Sequence, residues 1–482
     1  MKGQGFFRPN AKFVALWNVA WALALTALIP VINAWTPLLN PQYNNVWTPD
    51  VYWRLVLYWH GAIFMPMVAV GACVLCMTFG LDKVNGRGSR LLCKAVNYGG
   101  LIAGPLAGIG GIFDIYDRFA LGIPLWTQIV GFLIGDEIAI ALIIVMLLYP
   151  KVSGKGYDGV GLPYYTALAA LIGVLIAAVE GHIAGWITWF GPWPSFVANY
   201  INQTMFAIGY TNFTYAVGNW TENVVTSHSH TMLPLIMAGI ASLAAVAFGY
   251  YEMKGAPRLV AAIGFLVMSY MIVAVTWLYI VAGVGNYVIP TLFQSGPGGV
   301  NGLAMDDAMT GMIGWGALLV LIGLVIYLKR TGRLRDPFFV TVLIAAVLIY
   351  LTLPVTGYYI EFHESYYGFA TPPAPGWRND FVYLRFHQDF GLFTLPSVIL
   401  AVLLFKQFDL TDAERRLVSS LLVAGMVIAF AGGEAYFITL AQPWLYLALV
   451  GAALIWLGLA FGTFYAWRSY AAGPKGFGCC SV

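Results

Sequence analysis

Residues 53–80 read WRLVLYWHGAIFMPMVAVGACVLCMTFG, and after Arg54 this stretch contains no Asp, Glu, Lys or Arg. A helix of this length crosses the hydrocarbon core of a bilayer, which is ~30 Å thick. The composition of the whole chain agrees, because 60% of its 482 residues are hydrophobic and 9% are charged. Soluble globular proteins usually carry about 25% charged residues. The sequence therefore predicts an integral membrane protein.

Apolar stretches of spanning length recur along the chain. They predict an all-α fold, a polytopic membrane bundle of about twelve transmembrane helices, built as a single membrane domain over residues 1–482. The predicted helices lie near residues 13–34, 53–80, 95–116, 126–149, 162–190, 224–250, 259–282, 306–328, 337–357, 382–405, 417–440 and 444–467.

Lysine and arginine are concentrated in alternate loops between the predicted helices, for example at residues 83–94, 151–155, 254–258, 329–335 and 406–416. The positive-inside rule places these loops in the cytoplasm, and both termini with them. We expect a multi-pass protein of a prokaryotic inner membrane, in contact with membrane lipid. A net charge of +3 without a long basic patch argues against binding of nucleic acid.

The six histidines all fall on the predicted outer side of the membrane, at helix ends or in an outer loop: His60, His182, His228, His230, His363 and His387. Ionisable groups are costly inside a membrane and usually serve a function there. Neutral imidazole binds haem iron, copper and zinc. For each histidine alone, a hydrogen bond between helices is the alternative. Their grouping at one depth favours a haem or metal site.

Three of the histidines, His60, His228 and His387, fall on predicted helices 2, 6 and 10. A proline follows His60 and His228 at the same spacing, and the proline after His387 comes three positions later. Recurrence every four helices predicts three pseudo-repeated arcs of four helices. Their ranges are roughly 13–149, 162–328 and 337–467.

Twelve helices in three arcs of four, with histidines on helices 2, 6 and 10, resemble subunit I of the haem-copper oxidases. That superfamily contains cytochrome oxidases and nitric oxide reductases. Trp59-His60-Gly61 looks like the family's helix 2 ligand of a low-spin haem, and His387 looks like the opposite ligand. The resemblance implies a low-spin haem of b type, with Gly61 letting the macrocycle approach the helix. Arg385 would pair with a haem propionate, and an arginine that reaches the interfacial water is the alternative.

The sequence also departs from this family. The family's active site needs a histidine pair on helix 7, where residues 268–280 read MSYMIVAVTWLYI. The position of the family's high-spin haem ligand on helix 10 is Arg385. The usual oxygen-reducing binuclear centre cannot be assembled from these residues in the usual way.

A second cofactor site, holding another haem or copper, depends on three histidines. His228 or His230 occupies the helix 6 position where the family places a copper or iron ligand. Side chains two residues apart on a regular helix point ~200° apart, so this pair serves two sites or one member lies outside the helix. His182 either completes the second site with one of them or makes a hydrogen bond near Glu180.

These observations predict a haem-binding electron-transfer subunit of a larger oxidoreductase. Its expected partners are redox proteins of the cytochrome c or cupredoxin type, other membrane redox subunits, or quinol. One alternative is an active oxygen or nitric oxide reductase with a metal centre rearranged around His182, His228 and His230. The other is a haem-free transporter or scaffold of twelve helices, although transporters of that size usually show a six-plus-six repeat.

Overall fold

The computed structural model describes residues 10–27, 60–81, 86–117, 123–190, 213–288, 302–352 and 386–472. These residues form twelve α-helices and no strand, which confirms the all-α prediction. Each helix coincides with one predicted apolar stretch. The helices are α1 Ala11–Ala27, α2 Met65–Phe79, α3 Arg87–Asp117, α4 Ile123–Val152, α5 Leu162–Phe190, α6 Phe213–Ala247, α7 Ala256–Val288, α8 Gly302–Arg330, α9 Pro337–Tyr350, α10 Leu395–Phe405, α11 Asp412–Thr439 and α12 Gln442–Ala471.

Seven helical segments within the described ranges are long and apolar enough to cross a membrane, as in a multi-pass membrane protein. They are His60–Phe79, Trp126–Val152, Leu162–Val179, Ala256–Trp277, Met309–Arg330, Asp412–Thr439 and Gln442–Ala471. Four further helical segments are apolar but shorter: α1, α9, the part of α6 from Thr231 to Ala247, and the segment Phe390–Phe405 that includes α10. Twelve spans, their arrangement in three arcs and the cytoplasmic termini stay predictions.

Helices α2 and α10 each begin with a π-helical segment, His60–Phe64 and Phe386–Thr394. A proline stands at the second position of each following α-helix. Proline has no N–H to donate, and its ring clashes with the carbonyl four residues earlier, so a wider turn relieves the strain. Proline alone does not produce this widening, because α6 contains Pro234 and is α-helical throughout. The two widened segments carry the two predicted low-spin haem ligands.

Backbone contacts divide the chain into two units, Met1–Gly154 with Lys329–Val482, and Lys155–Leu328. In the first unit α1 contacts α2, α3 and α12, and α2 contacts α10. In the second unit α5 packs against α6 and α7. The second unit spans nearly the same residues as the predicted repeat at 162–328. A single membrane domain stays a prediction.

Three antiparallel helix pairs, α3–α4, α7–α8 and α11–α12, approach closely enough for their backbones to touch at glycines. A Cβ added to Gly131 of α4 would lie 2.6 Å from a backbone nitrogen of α3. A Cβ on Gly264 of α7 would lie 2.5 Å from a backbone oxygen of α8, and one on Gly451 of α12 would lie 2.6 Å from a Cα of α11. Small residues permit such close packing in membranes. Each predicted four-helix repeat supplies one of these pairs, as a threefold repeat would require, although the repeat itself stays a prediction.

Side-chain donors fasten α1 to its neighbours by bonding backbone carbonyls. The buried Asn18 donates from Nδ2 to the carbonyl of Gly100 in α3 at 2.8 Å. Trp17 donates from Nε1 to Leu101 at 3.0 Å, and Trp456 of α12 donates to Leu23 at 3.1 Å. Interhelical hydrogen bonds of this kind help to hold membrane helices together where water is excluded.

Replacing Gly451 by alanine tests the contact between α11 and α12. The new methyl group would meet the backbone of α11, so we expect a loss of about 1–3 kcal/mol of unfolding free energy, as for other overpacked sites. Gly314→Ala is the matched control, because a Cβ there has nothing within 4 Å. The measurement is the midpoint of thermal unfolding of the purified protein in detergent. Equal midpoints for the two variants would show that the close approach is unimportant.

Candidate functional site

The structure describes the side chains of three predicted ligands, His60, His182 and His228. The side chains of His230 and His387, and the whole of Arg385, lie outside the described residues. Within the described part of the chain, no group of three or more His, Cys, Asp or Glu side chains is placed to hold a metal ion.

His60 lies half-buried among phenylalanine rings at the start of α2. Its ring centroid is 5.7 Å from that of Phe64, 6.3 Å from that of Phe132 on α4 and 6.4 Å from that of Phe393 before α10. The sequence predicted His60 as a ligand but offered no signal for Phe132 or Phe393, which come from distant parts of the chain. Aromatic side chains around one imidazole are suitable walls for a flat, apolar macrocycle.

Helices α2 and α10 pack side by side and run parallel. The rings of Phe64 and Phe393 are 6.4 Å apart, at the beginnings of the two helices. Seven residues after Phe64 and Phe393, the two helices are still in contact. A Cβ added to Gly71 would lie 3.9 Å from Cδ1 of Leu400. Because the contacts advance together, the two helices begin at the same end of the bundle. The two predicted haem ligands are thus carried by neighbouring helices, at corresponding ends.

Gly61 faces the backbone of α3. A Cβ at this position would lie 2.8 Å from the carbonyl carbon of Ala107 and 3.1 Å from the Cα of Gly108. Any larger residue would push the widened turn away from α3. The structure accounts for Gly61 by helix packing, and a position beside a cofactor stays a prediction.

His228 is held by α5 through a hydrogen bond and a glycine. Its Nδ1 donates to the carbonyl oxygen of Ala177 at 2.6 Å. The ring lies against Gly181, where an added Cβ would be 2.5 Å from Cε1 of the imidazole. Since a carbonyl only accepts, a neutral ring carries its proton on Nδ1 and its lone pair on Nε2. Metal-binding histidines are commonly held by this kind of bond, with the other nitrogen directed to the metal.

His182 follows Gly181 directly and is half-buried. Because Gly181 touches the ring of His228, the two histidines lie at the same level of the neighbouring helices α5 and α6. Nothing in the sequence indicated that Gly181 would lie against the imidazole of His228. A second haem or copper held by His182 and His228 stays a prediction. The alternative bond near Glu180 stays one too, since that side chain lies outside the described residues.

Comparison of the chain with protein-family models gives no match, and comparison with curated proteins gives none either. The resemblance to subunit I of the haem-copper oxidases therefore stays a prediction. It depends on the motifs around His60 and His387 and on the predicted order of helices.

A double-mutant cycle tests the contact between Gly181 and His228. We expect Gly181→Ala to cost about 1–3 kcal/mol of unfolding free energy, because the methyl group displaces the imidazole. In a His228→Ala background the same change should cost only about 0.5 kcal/mol, since the methyl group enters the emptied space. Thermal unfolding of the wild type, both single variants and the double variant measures this coupling. Additive losses would show that the ring does not lie against Gly181.

Proposed function

We propose that this protein is a haem-binding membrane electron-transfer subunit of a larger oxidoreductase. In this proposal His60 and His387 hold one low-spin haem of b type near the outer face of the membrane. The observation that carries the proposal is the parallel packing of α2 and α10, which brings the two histidine-bearing helix ends together on one side of the bundle.

The residues described around His60 fit a haem in chemistry. An imidazole is one of the usual axial ligands of haem iron, and three phenylalanine rings surround it. The two ligand-bearing segments are π-helical, and such segments frequently occur at functional sites. A bound six-coordinate haem supplies one-electron transfer without binding substrate. Within the protein, His60 would bind the iron and the phenylalanine rings would exclude water.

The outer placement of this haem follows from the positive-inside rule applied to the basic loops. It favours electron exchange with an extracytoplasmic protein of the cytochrome c or cupredoxin type, with another membrane redox subunit, or with quinol. A prokaryotic inner membrane is the proposed location. Arg385, two residues before His387, would bind a propionate through its guanidinium group.

The haem assignment is tested on the purified protein by a pyridine haemochrome assay and a reduced-minus-oxidised spectrum. We expect a b-type spectrum for the wild type, and loss of the low-spin band in His60→Ala and in His387→Ala. His363→Ala is the matched control, because it removes a histidine that is not a proposed ligand, and its spectrum should match that of the wild type. A colourless wild type, or an unchanged band in His60→Ala, would refute the proposal.

A second candidate function is reduction of oxygen or nitric oxide at a rearranged centre that uses His228, His182 and His230. Because α6 is α-helical at both His228 and His230, these two side chains would serve separate sites rather than one metal ion. The hydrogen bond from Nδ1 of His228 to Ala177 favours this function, because that bond leaves the lone pair of the neutral ring on Nε2. This candidate predicts a high-spin haem and a spectral shift with carbon monoxide. His228→Ala should abolish the shift while the low-spin band of the His60 haem remains. Without any shift in the wild type, electron transfer alone would remain as the function.

A further inference from the structure

One face of helix α4 is exposed and carries a single carboxyl group. The exposed side chains recur every three or four residues, at Val130, Leu133, Glu137, Ile140, Ile144 and Leu147. Apart from Glu137, all exposed residues from Val130 to Leu148 are valine, leucine or isoleucine. Alternate spacings of three and four are typical of the contact line between two helices packed side by side. We call these six side chains the Glu137 face.

The other side of α4 packs against α2 and α3. A Cβ on Gly131 would lie 2.6 Å from a backbone nitrogen of α3, and a Cβ on Gly135 would meet the side chain of Met65 in α2. Ile138 packs against α3, where a Cβ on Gly99 would lie 3.1 Å from its Cγ1. The Glu137 face is therefore directed away from both neighbours, toward the surroundings of the protein.

Glu137 lies deep within the apolar length of its helix. The segment of α4 that is suited to cross a membrane is Trp126–Val152, and Glu137 lies two residues from its midpoint. At 1.5 Å per residue, each end of this segment is at least ~16 Å away along the helix. A glutamate side chain is far shorter than that distance. Its carboxyl group therefore cannot reach the aqueous interface, as long basic side chains near helix ends do.

Glu137 forms no hydrogen bond or ion pair in the part of the chain that the structure describes. Its neighbour Asp136 differs, because that side chain is half-buried and interacts with another residue. Ionisable groups in membrane-spanning helices almost always face the interior of a bundle and pair with another group there. Glu137 does neither, so we expect its partner to come from another molecule.

Charge complementarity decides between a second copy of this chain and a different protein. Two copies inserted in the same direction would pair their α4 helices in parallel about a twofold axis, so each residue of the face would meet its own counterpart. Glu137 would then lie against Glu137. The exposed Lys151, seven residues after Ile144, would lie against Lys151. Both contacts join like charges, whereas a helix with a cation at its middle offers Glu137 the opposite charge.

We propose that the Glu137 face of α4 binds a transmembrane helix of another protein, one that carries lysine or arginine near its middle. The basic side chain donates a charge-assisted hydrogen bond to the carboxylate, and hydrocarbon screens this pair much less than water would. The aliphatic side chains above and below Glu137 pack against the partner helix. The inference uses no property of the proposed haem, so either proposal can fail without the other.

The experiment uses three synthetic helices of about 20 leucines, with lysine, glutamine or leucine at the middle position. The full-length protein carries a donor dye, each peptide carries an acceptor dye, and energy transfer in phosphatidylcholine vesicles measures their association. We expect the wild type to bind the lysine helix about tenfold more tightly than the leucine helix. The glutamine helix, which offers hydrogen bonds without charge, should bind with intermediate affinity.

Two variants of Glu137 separate its charge from its shape, and the fold should tolerate both because the side chain is exposed. Glu137→Leu should bind the three helices equally. Glu137→Gln keeps the size of the side chain and should bind the lysine and glutamine helices equally. Glu434→Leu is the matched control, because it removes a half-buried carboxyl group from the spanning helix α11 and should keep the wild-type preference for lysine.

Four results would overturn the proposal. Equal binding of all three helices by the wild type would leave the face to lipid. Equal binding of the lysine and glutamine helices by the wild type would show that charge is not recognised. An unchanged preference for lysine in Glu137→Leu would place the contact elsewhere. Energy transfer between wild-type copies that disappears in Glu137→Leu would assign the face to a second copy of this chain.

Discussion

No water reaches the hydrocarbon core of a bilayer to pair with a peptide group, so each spanning segment must satisfy its own backbone hydrogen bonds. This constraint explains why the long apolar stretches are helical wherever the structure describes them. It also makes departures from the α-helix costly and therefore informative. A short π-helical turn at residues 351–352 ends α9, and two longer ones stand at the starts of α2 and α10, where a proline removes a donor and the preceding turn widens. His60 and His387 lie in these widened turns, so the local backbone and the proposed ligands coincide.

Glycines decide how closely the helices pack. Lipid tails are as apolar as the side chains, so an apolar side chain gains little by contacting a neighbouring helix instead of lipid. At Gly131, Gly264 and Gly451 the missing side chain lets neighbouring backbones touch. The same device acts at the histidines. Gly61 brings the turn of His60 against α3, and Gly181 accommodates the imidazole of His228. The places of His60 and His228 are therefore decided by how closely two helices approach, and a single methyl group at Gly61 or Gly181 would change them.

Charge is handled differently at the helix ends. Polar groups there sit near water and can pair with backbone, with one another or with lipid. Asp336 serves α9 as a cap by accepting hydrogen bonds from the N–H groups of Phe338 and Phe339.

Much of the fold could be predicted from the sequence. A helix that crosses hydrocarbon must be long and apolar, and both properties can be read from one continuous stretch of residues. The twelve apolar runs, for example 162–190, match the observed helices for that reason. The candidate ligands could be predicted as residue types, since histidine is rare in membrane helices. Their surroundings could not, because Phe132 and Phe393 reach His60 from distant parts of the chain.

The sequence by itself determined the helical class, the twelve helices of the described ranges and the histidines worth testing. Only the tertiary structure decided that α2 and α10 are parallel neighbours, that Gly61 faces α3, and that Gly181 meets His228. These contacts depend on which small residues face each other across two helices. Contact between small residues on two helices is a property of a pair of distant segments, so it cannot be predicted from either segment alone.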